Sequence, residues 1–407
     1  MHTPLLSGNS TSYDLVIIGG GCAGLALAMA ICKRVTKPSH APKTLIIEPR
    51  AQYIDDRSWC FWERENKVNK NLVAKSWPTW EFGTKLEQHK HSSKSGWQYN
   101  YVPSIRFYDQ AEQLISKHEQ ITLLKNTRVT GVTPNPSNVE VTLDRGSISA
   151  EQVVDTRVPD SFDMNKATLK QIFYGIEIEL TTTNAIEDIA RVMADMRADS
   201  DGFLFNYILP IDEKSILVEV TRFSGAPLAP ETLREAALEL ANHISDQNKY
   251  KITREESGVI PMGVAPQVEA ADPRWVRAGI GVGAARPSTG YAFQRIQCWA
   301  DMCAKTILAS GQCQSFPSDS AKLAWMDNIF LCTIRDDPTL APELFLSLAR
   351  NVKPDRLLRF LTDCPNRTDV LAVIVSLPKW PLVRTVLVDL FRGLSTRKRG
   401  GKWRKAL

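Results

Sequence analysis

The first fifty residues contain short apolar segments separated by a glycine-rich turn, in the order typical of a nucleotide-binding unit. Tyr13 to Ile18, "YDLVII", is an apolar run of β-branched character, which predicts a buried strand. "GGGCAG" follows, then the helix-forming "LALAMAICKRV", and then a second apolar run, "KTLIIEP". Strand, turn, helix and strand in this order predict an α/β fold whose first unit binds a dinucleotide.

Four residues of this unit are candidate cofactor contacts. Gly19 permits a tight turn, Gly21 lets the backbone approach a pyrophosphate, and Gly24 lets the helix pack closely on the strand. The helix N-terminus adds unpaired N–H groups and the positive end of its dipole. Glu48 ends the second strand, where its carboxylate can accept hydrogen bonds from ribose hydroxyls. The remaining sequence has no second GxGxxG, which favours one tightly held FAD without a separate nicotinamide domain.

Two later segments are predicted to return to this cofactor. "NTRVTGVTP" and the strand-like run ending in "VVDTRVP" place Val129 and Asp155 near the adenine side. "WVRAGIGVGAARPSTGYAFQRIQCWAD" predicts a strand, a glycine-rich turn and a helix beginning near Ser288 or Thr289. A helix start directed at the flavin would favour an anionic reduced form, and an ordinary glycine-rich turn is the alternative. The cofactor contacts predicted in this turn are Gly283, Pro287, Thr289 and Gly290.

Residues 168 to 224 have a different pattern. "LKQIFYGIEIEL", "GFLFNYILPI" and "SILVEVTRFS" predict strands, and "DIARVMADMR" predicts an amphipathic helix between them. The predicted fold is therefore a Rossmann-like FAD-binding domain of glutathione-reductase or aromatic-hydroxylase type, interleaved with an antiparallel-sheet substrate domain. The predicted division is FAD-binding residues 1–80, 106–165 and 256–312, an insertion toward the substrate side at 81–105, a substrate-binding sheet domain at 166–255, and a C-terminal helical, membrane-proximal region at 313–407.

The basic charge is concentrated at the C-terminal end. The chain has 407 residues, of which 43% are hydrophobic, and carries a net charge of +5. Seven basic residues and no acidic one lie between Phe391 and Leu407, so removing those seven charges from +5 leaves −2. This distribution argues against a nucleic-acid-binding body. It favours a local contact with an anionic membrane surface, and a solvated tail is the alternative.

The segment before this tail, Val370 to Phe391, is the most apolar in the chain. Prolines and charged residues interrupt it, so it falls short of the ~20 apolar residues of a membrane span. It predicts either a membrane-interface segment or a packed helix pair. The start of the sequence lacks a secretory signal, and its eight cysteines show neither C-x-x-C spacing nor nearby histidines. We therefore expect a cytoplasmic protein, peripheral to the inner face of the membrane, without a metal site.

The segment "DDRSWCFW" combines charged residues with large aromatic rings. The charged residues 55–57 alone would indicate a solvated loop. Trp59, Phe61 and Trp62 argue against this interpretation, because three large rings exposed on a loop are unfavourable. Aromatic faces stabilise cations by about 0.5 to 2 kcal/mol per contact, so these rings are candidates for a substrate tunnel. The full set of candidate substrate contacts is Trp59, Phe61, Trp62, Tyr207 and Tyr291.

A collinear series of short motifs covers most of the chain. In order these are GGGCAG with Glu48, "DDRSWCFW", "VVDTR", "QIFYGIEIE", "MADMR", "FNYILP", "LVEVTRFS", "EESGVIPMG", "ARPSTGYAFQRIQ", "RFLTD" and "SLPKWPL". Together they resemble the lycopene cyclase family of flavoproteins. The resemblance implies a peripheral membrane enzyme of the isomerase or intramolecular lyase class. Such an enzyme uses FAD reduced by NADPH or another reductant and closes β-ionone rings on a linear carotenoid without net oxidation.

Acid-initiated ring closure requires a protonated carboxyl group in an apolar pocket. Glu219 in "ILVEVTRFS" lies among aliphatic residues, and burial raises a carboxyl pKa because it disfavours the charged form. Its position matches the first glutamate of the family motif to which the catalytic carboxylate is assigned, although Val220 replaces the second acid of many relatives. The alternative is a solvent-facing glutamate beside Arg222. Asp56 and Arg57 are further catalytic candidates, with a cofactor phosphate contact as the alternative for Arg57.

Two other functional classes are compatible with these motifs. A redox flavoenzyme acting on a polyprenyl or other terpenoid substrate, such as a geranylgeranyl-type reductase or a monooxygenase, would share the fold. A membrane-bound lipid carrier with a relic fold would need no FAD. The sequence leaves open the ring type, the number of ends cyclised, the identity of the terpenoid and the oligomeric state.

Overall fold

The computed structural model describes residues 12–37, 40–159, 162–181, 187–245, 249–263 and 272–388. Its framework consists of two seven-stranded sheets and one three-stranded sheet. The predicted helix α1 (Cys22–Arg34) and the strands on either side of it are confirmed. The basic tail lies outside the described residues.

The first sheet carries the nucleotide-binding unit. Its strands, in spatial order, are β8 (Ile121–Leu124), β2 (Thr44–Ile47), β1 (Ser12–Ile18), β11 (Gly146–Asp155), β10 (Val139–Leu143) and β9 (Val129–Pro134), and β17 (Trp275–Arg277) also pairs with β11. The four neighbouring strands β8, β2, β1 and β11 are parallel to one another. Leu15 and Ile17 pack into one apolar core and Val16 and Ile18 into another, which explains why β1 is apolar at successive positions.

The second sheet is the predicted substrate sheet and is almost entirely antiparallel. Its strands, in spatial order, are β16 (Tyr250–Met262), β12 (Leu169–Leu180), β15 (Ser215–Ser224), β14 (Gly202–Pro210), β13 (Ala190–Asp199), β5 (Thr79–Gly83) and β6 (Gln88–Ser92). Helix α3 (Arg234–Ile244) packs on one face through small residues such as Ala237. The opposite face, called the inner face below, carries most of the aromatic residues of the sheet.

The third sheet connects the other two. It consists of β3 (Ser58–Arg64), β7 (Trp97–Pro103) and β4 (Lys75–Trp77), and β7 leads directly into α2 (Ser104–Ile115). Phe61 of β3 belongs to the core of the nucleotide-binding unit, whereas Trp62 belongs to the core under the substrate sheet. Side chains alternate between the two faces of a strand, so one strand contributes to both cores.

The remaining helices follow the late glycine turn. They are α4 (Phe293–Ser310), α5 (Ala321–Asp336), α6 (Ala341–Asn351), α7 (Pro354–Leu361), α8 (Arg367–Ser376) and α9 (Lys379–Val388). Apolar residues of α5 to α8 pack under the substrate sheet. Within the described residues, no single helix is long and apolar enough to cross a membrane. Only α8 and α9 together meet that test, with a bend of 99° between them.

Two predicted elements are corrected by the structure. "DIARVMADMR" was expected to form a helix, but its residues from Ala190 onward form β13, which pairs with β14 and β5. Backbone pairing on both sides outweighs the helical pattern, and a left-handed residue, Asp195 (φ 51°), accompanies shifts of register. The helix expected near Ser288 begins instead at Phe293. Gly290 (φ 71°) has a left-handed backbone conformation that an α-helix cannot accommodate.

Candidate active site

The glycine turn after β1 has the geometry of a phosphate cradle. Gly21 caps α1 without any side-chain cap, and the first turn of the helix contains no acidic residue. A methyl group placed on Gly21 would meet no atom within 4 Å, whereas one on Gly24 would lie 1.9 Å from the carbonyl oxygen of Gly19. Gly24 therefore allows close helix packing, and Gly21 leaves the helix N-terminus open to a pyrophosphate.

Glu48 is fixed beside this turn. Its Oε2 accepts a 2.8 Å hydrogen bond from the Gly20 N–H, and its Oε1 accepts 2.8 Å bonds from the backbone and Nε of Arg50. The Arg50 guanidinium lies over the rings of Tyr53 and Tyr108, 4.8 and 5.2 Å from their centroids. The carboxylate is thus held at the carboxyl end of β2, where a dinucleotide ribose lies in this fold.

Asp155 and Val129 are joined by one arginine. Both carboxylate oxygens of Asp155 pair with Arg157, at 2.9 Å to Nε and 2.8 Å to Nη2, and Arg157 Nη1 donates to the Val129 carbonyl at 3.0 Å. Asp155 lies opposite Ile18 in the β1–β11 pairing, so it is next to the glycine turn. Asp155 therefore holds Arg157 beside this turn, and its own contact with the cofactor stays a prediction.

The late glycine turn faces the inner sheet. Gly283 (φ 90°) has open space on its Cα, and a methyl group on Gly290 would lie 2.6 Å from Gln171 Oε1 on β12. Pro287 is half-buried, and Thr289 lies in the wall of the cavity described below. Among the described residues, buried Gln171 Oε1 has no hydrogen-bond partner, so it is available to a donor on a bound molecule. These features and the glycine cradle fit a dinucleotide cofactor.

Asp56 and Arg57 lie on the cofactor side. Arg57 Nη2 donates to Asp56 Oδ2 at 2.9 Å, and the Tyr108 hydroxyl donates to Asp56 Oδ1 at 3.1 Å. Burial alone would raise the pKa of Asp56, but these bonds lower it below its ordinary value. Asp56 is therefore ionised, and no contact of either residue with Glu219 is found in the described structure. The catalytic role proposed for the two stays a prediction.

The aromatic residues of β3 are divided between two surroundings. Trp59 and Phe61 stack on Phe293, with ring centroids 5.2 and 5.1 Å apart, at the start of α4. Trp62 points the other way, against Trp80 of the substrate sheet at 4.7 Å. Because side chains alternate along a strand, rings predicted as one substrate-facing group belong to two cores. Their predicted contacts with substrate are still predictions.

An apolar cavity of about 640 Å³, including its open mouth, lies between the inner face of the substrate sheet and helices α6 and α7. Tyr207 and Tyr291, two of the predicted substrate contacts, are in its wall. Burial raises the pKa of Tyr291 to about 12, so its hydroxyl is neutral at physiological pH. The other side chains that give the cavity its apolar character include Phe82, Phe205, Phe223, Phe345, Leu348 and Leu357.

Glu219 lies on the inner face of the sheet, in its middle. Its strand β15 has β12 on one side and β14 on the other, so the solvent-facing edge position is excluded. Glu219 is directly opposite Tyr207 of the cavity wall, although the cavity wall does not include Glu219 itself. Burial, followed by the charge of Glu256, raises the pKa of Glu219 from 4.5 to about 8. A carboxyl group in this position keeps its proton at neutral pH.

The inner face also contains charged residues that the sequence interpretation missed. Arg254 of β16 contacts three carboxylates: Glu256 at 2.7 Å, Glu177 at 3.1 Å and Asp55 at 3.4 Å. The segment "TREES", residues 253–257, could have indicated part of this cluster. Alternate residues of a strand share a face, so Arg254 and Glu256 lie together. Their relation to a glutamate on another strand depends on the register of the sheet, which the sequence does not show.

Comparison with known protein families shows the family to which this chain belongs. Residues 14–387 match the family described as "Lycopene cyclase protein". This chain belongs to the lycopene cyclase family. The resemblance inferred from the motifs is therefore confirmed. This chain is 29% identical, over 299 residues, to a lycopene beta-cyclase of Pseudescherichia vulneris. The match spans 71% of this chain and 72% of that protein.

Solved structures with the same fold include several classes of flavoprotein. A geranylgeranyl bacteriochlorophyll reductase-like protein of Thermoplasma acidophilum is 14% identical (TM-score 0.56, covering 94% of this chain and 100% of that one). A p-nitrophenol 4-monooxygenase of Pseudomonas putida is 12% identical (TM-score 0.56, 94% and 98%). A halogenase variant in complex with FAD is 11% identical (TM-score 0.51, 85% and 78%). At these identities the likeness shows the fold alone, and it confirms the predicted fold class.

Proposed function

We propose that this lycopene cyclase family member is an FAD-dependent carotenoid cyclase that forms β-ionone rings at the ends of lycopene or a related linear terpenoid. The observation that carries the proposal is the position of Glu219, a half-buried carboxyl group with a raised pKa on the inner face of the sheet, beside an apolar cavity. Family membership supports the carotenoid substrate, and the flavoprotein fold supports the cofactor.

Glu219 acts as the general acid in this proposal. It transfers its proton to the terminal double bond of the polyene end and leaves a carbocation. The neighbouring double bond attacks that cation, which forms the six-membered ring and moves the positive charge onto a ring carbon. Loss of a proton from an adjacent carbon then forms the ring double bond. One proton is gained and one is lost, so the product is an isomer of the substrate.

The cavity provides the dry environment that a carbocation requires. Phe205 and Phe223 present aromatic rings from the sheet, and Phe345 presents another from α6. These rings exclude water and offer π faces to positive charge. Tyr207 connects this apolar space to Glu219 on the neighbouring strand. The polyene is therefore proposed to occupy the cavity with its reacting end toward Tyr207.

The glycine cradle, Glu48 and the late glycine turn would hold FAD. When bound and reduced by NADPH or another donor, FAD would supply negative charge to the site without being consumed. The open N-terminus of α1 would bind the pyrophosphate, and Glu48 would accept the ribose hydroxyls. Gln171 Oε1 and the turn at Gly290 would contribute to holding the cofactor.

Helices α8 and α9 are proposed to contact the cytoplasmic face of a membrane. Leu371 and Val375 of α8 are 59% and 58% exposed, and Trp380 of α9 is 75% exposed. An exposed apolar surface of this kind, followed by a basic tail in the sequence, suits an anionic bilayer interface. A lipid-soluble carotenoid would also be available there.

Expression in a lycopene-accumulating host, followed by pigment analysis, tests the function. We expect cyclised product from the wild-type protein and none from Glu219→Gln, with the same FAD content in both purified proteins. Unchanged lycopene with the FAD-bound wild type would refute the proposal. The purified protein distinguishes the alternatives. A redox enzyme supplied with NAD(P)H would consume it in step with product formation, and a lipid carrier would be purified without FAD.

A further inference from the structure

Three strands bring two carboxyl groups to one gap in the inner face. Gly175 of β12 pairs with Glu219 of β15 on one side and with Glu256 of β16 on the other. All three residues therefore lie in one row on the same face of the sheet. A methyl group on Gly175 would lie 3.3 Å from Glu256 Oε1 and 3.6 Å from Glu219 Oε2. Both carboxyl groups therefore border the space that the missing side chain leaves.

The two glutamates have different surroundings. Glu219 accepts a 2.6 Å hydrogen bond from the Thr221 hydroxyl, and no arginine bond to it is found among the described residues. Glu256 accepts a 2.7 Å bond from Arg254 Nη1, and Arg254 Nη2 also donates to the Ser58 hydroxyl at 2.8 Å. Burial raises the pKa of Glu256 above its ordinary value, but the charge and the hydrogen bond of Arg254 oppose this rise and favour the carboxylate. Glu219 lacks such a hydrogen bond among the described residues.

Arg254 is outnumbered by its acidic partners. It contacts Glu177 and Asp55 in addition to Glu256, so one positive charge faces three carboxylates. The side chain of Arg254 is only 11% exposed, which reduces screening by water. The other titratable groups that face this space are Cys60, Tyr99, Tyr101, Tyr207 and Tyr291. Burial raises the pKa of each of them, so they are neutral and add no charge to the cluster.

We propose that Glu256 is a positioning residue for the acid: held by Arg254, its carboxylate keeps Glu219 protonated and stabilises the polyene carbocation. The inference rests on the proposed cyclase function. A second negative charge across the Gly175 gap makes ionisation of Glu219 unfavourable. The same charge attracts positive charge that develops on a substrate held next to Glu219. The cluster would thus add a fixed protein charge to that of the reduced cofactor.

The pH dependence of cyclisation tests this role. Initial rates are measured with the purified, FAD-loaded full chain, prereduced, with lycopene in phosphatidylcholine vesicles, from mildly acidic to mildly alkaline pH. The wild-type rate falls at alkaline pH as Glu219 ionises. Glu256→Gln removes the neighbouring charge, so we expect the midpoint of that fall to move about one pH unit lower. Glu256→Asp, which keeps the charge, is expected to stay near the wild type.

Glu255→Gln is the matched control. Glu255 precedes Glu256 in the chain but points to the opposite face, where it pairs with Arg234 at 2.9 Å and with the Tyr174 hydroxyl. This variant should leave the alkaline midpoint unchanged. A Glu256→Gln rate that is lower by the same factor at every pH, with an unmoved midpoint, would overturn the inference and indicate a structural role.

A measurement without substrate separates the inference from the proposed function. Isotope-edited infrared spectroscopy of the FAD-bound protein follows the carbonyl band of protonated Glu219 as pH rises. We expect this band to disappear at lower pH in Glu256→Gln than in the wild type. An unshifted titration overturns the inference, whether or not the protein cyclises lycopene. Absence of cyclised product from the wild type refutes the proposed function. The infrared titration would then still show whether Glu256 raises the pKa of Glu219.

Discussion

Asp55 and Asp56 are adjacent in the chain but pair with different parts of the protein. Asp55 Oδ2 lies 3.4 Å from Arg254 Nε on the substrate sheet, and Asp56 Oδ2 lies 2.9 Å from Arg57 Nη2 on the cofactor side. Asp55 Oδ1 also accepts a 3.2 Å bond from the Ile105 N–H at the start of α2. One dipeptide therefore links the cofactor cradle to the inner face of the sheet.

This division predicts different effects for two neighbouring substitutions. Asp56→Asn removes the anionic partner of Arg57 and of Arg50, which also holds Glu48. A hydrogen bond to a charged group contributes about 1.5 to 3 kcal/mol, so we expect FAD to bind about tenfold more weakly or worse. Asp55→Asn should retain FAD and slow cyclisation. Fluorescence titration of the apoprotein with FAD measures the first effect. Weaker FAD binding in Asp55→Asn together with normal FAD binding in Asp56→Asn would contradict this division.

Glu219→Gln should stabilise the protein at neutral and alkaline pH. The folded pKa of about 8 exceeds the ordinary value of 4.5, so between these values the folded state holds a proton that the unfolded state releases. Unfolding is therefore favoured as pH rises through this window, and the wild type loses stability there. We expect the variant to exceed the wild type by on the order of 1 kcal/mol or more at about pH 8 and to match it at about pH 4. Urea unfolding at the two pH values measures the difference, and equal stability at both would contradict the raised pKa.

Replacing Arg286 should cause a large loss of stability. It is 2% exposed, and its Nε and Nη2 lie 3.1 and 3.2 Å from the two carboxylate oxygens of Asp327 on α5. Its Nη1 also donates to the carbonyl oxygen of Phe360 on α7. Arg286→Met leaves Asp327 buried without its partner, which we expect to cost about 3 to 5 kcal/mol of unfolding free energy.

Arg350→Met is the control for that experiment. Arg350 forms a comparable pair with Glu87 at 2.9 Å, but each side chain is 40% exposed. Its loss should cost far less stability than the loss of Arg286, because water screens an exposed ion pair. Urea unfolding of both variants with saturating FAD gives the comparison. Equal, small losses would mean that the late glycine turn does not depend on its contacts with α5 and α7.

Membrane binding should depend on α8. Leu371→Asp places a charge on its exposed apolar surface, so we expect several-fold weaker binding to anionic phosphatidylglycerol vesicles in a sedimentation assay. Leu86→Asp is the matched control, because Leu86 is 98% exposed and belongs to the β5–β6 turn instead of α8 or α9. Equal binding of the two variants would exclude α8 as the contact. Retained binding to neutral phosphatidylcholine vesicles would show that the basic tail contributes little.

The sequence by itself determined the nucleotide-binding unit and the choice of Glu219 as the candidate acid. Strand, glycine turn and helix are local features, since each depends on the spacing of a few neighbouring residues. The roles of Gly19, Gly21 and Gly24 therefore follow from their spacing alone. Glu219 could be selected because its aliphatic neighbours in one strand indicate burial and because its position matches the glutamate of the family motif. The local pattern failed for "DIARVMADMR", because pairing with β14 and β5 decided its conformation.

Only the tertiary structure decided which charges face one another. Gly175, Glu219 and Glu256 come from three strands, and they form a row only because the register of β12 with both neighbours aligns them. Alternation along β3 likewise separated Trp59 from Trp62. Register and strand order are set by packing between distant segments, so the sequence near each residue does not contain them. The sequence thus provided the candidate acid, and the register of the sheet placed a second carboxyl group beside it.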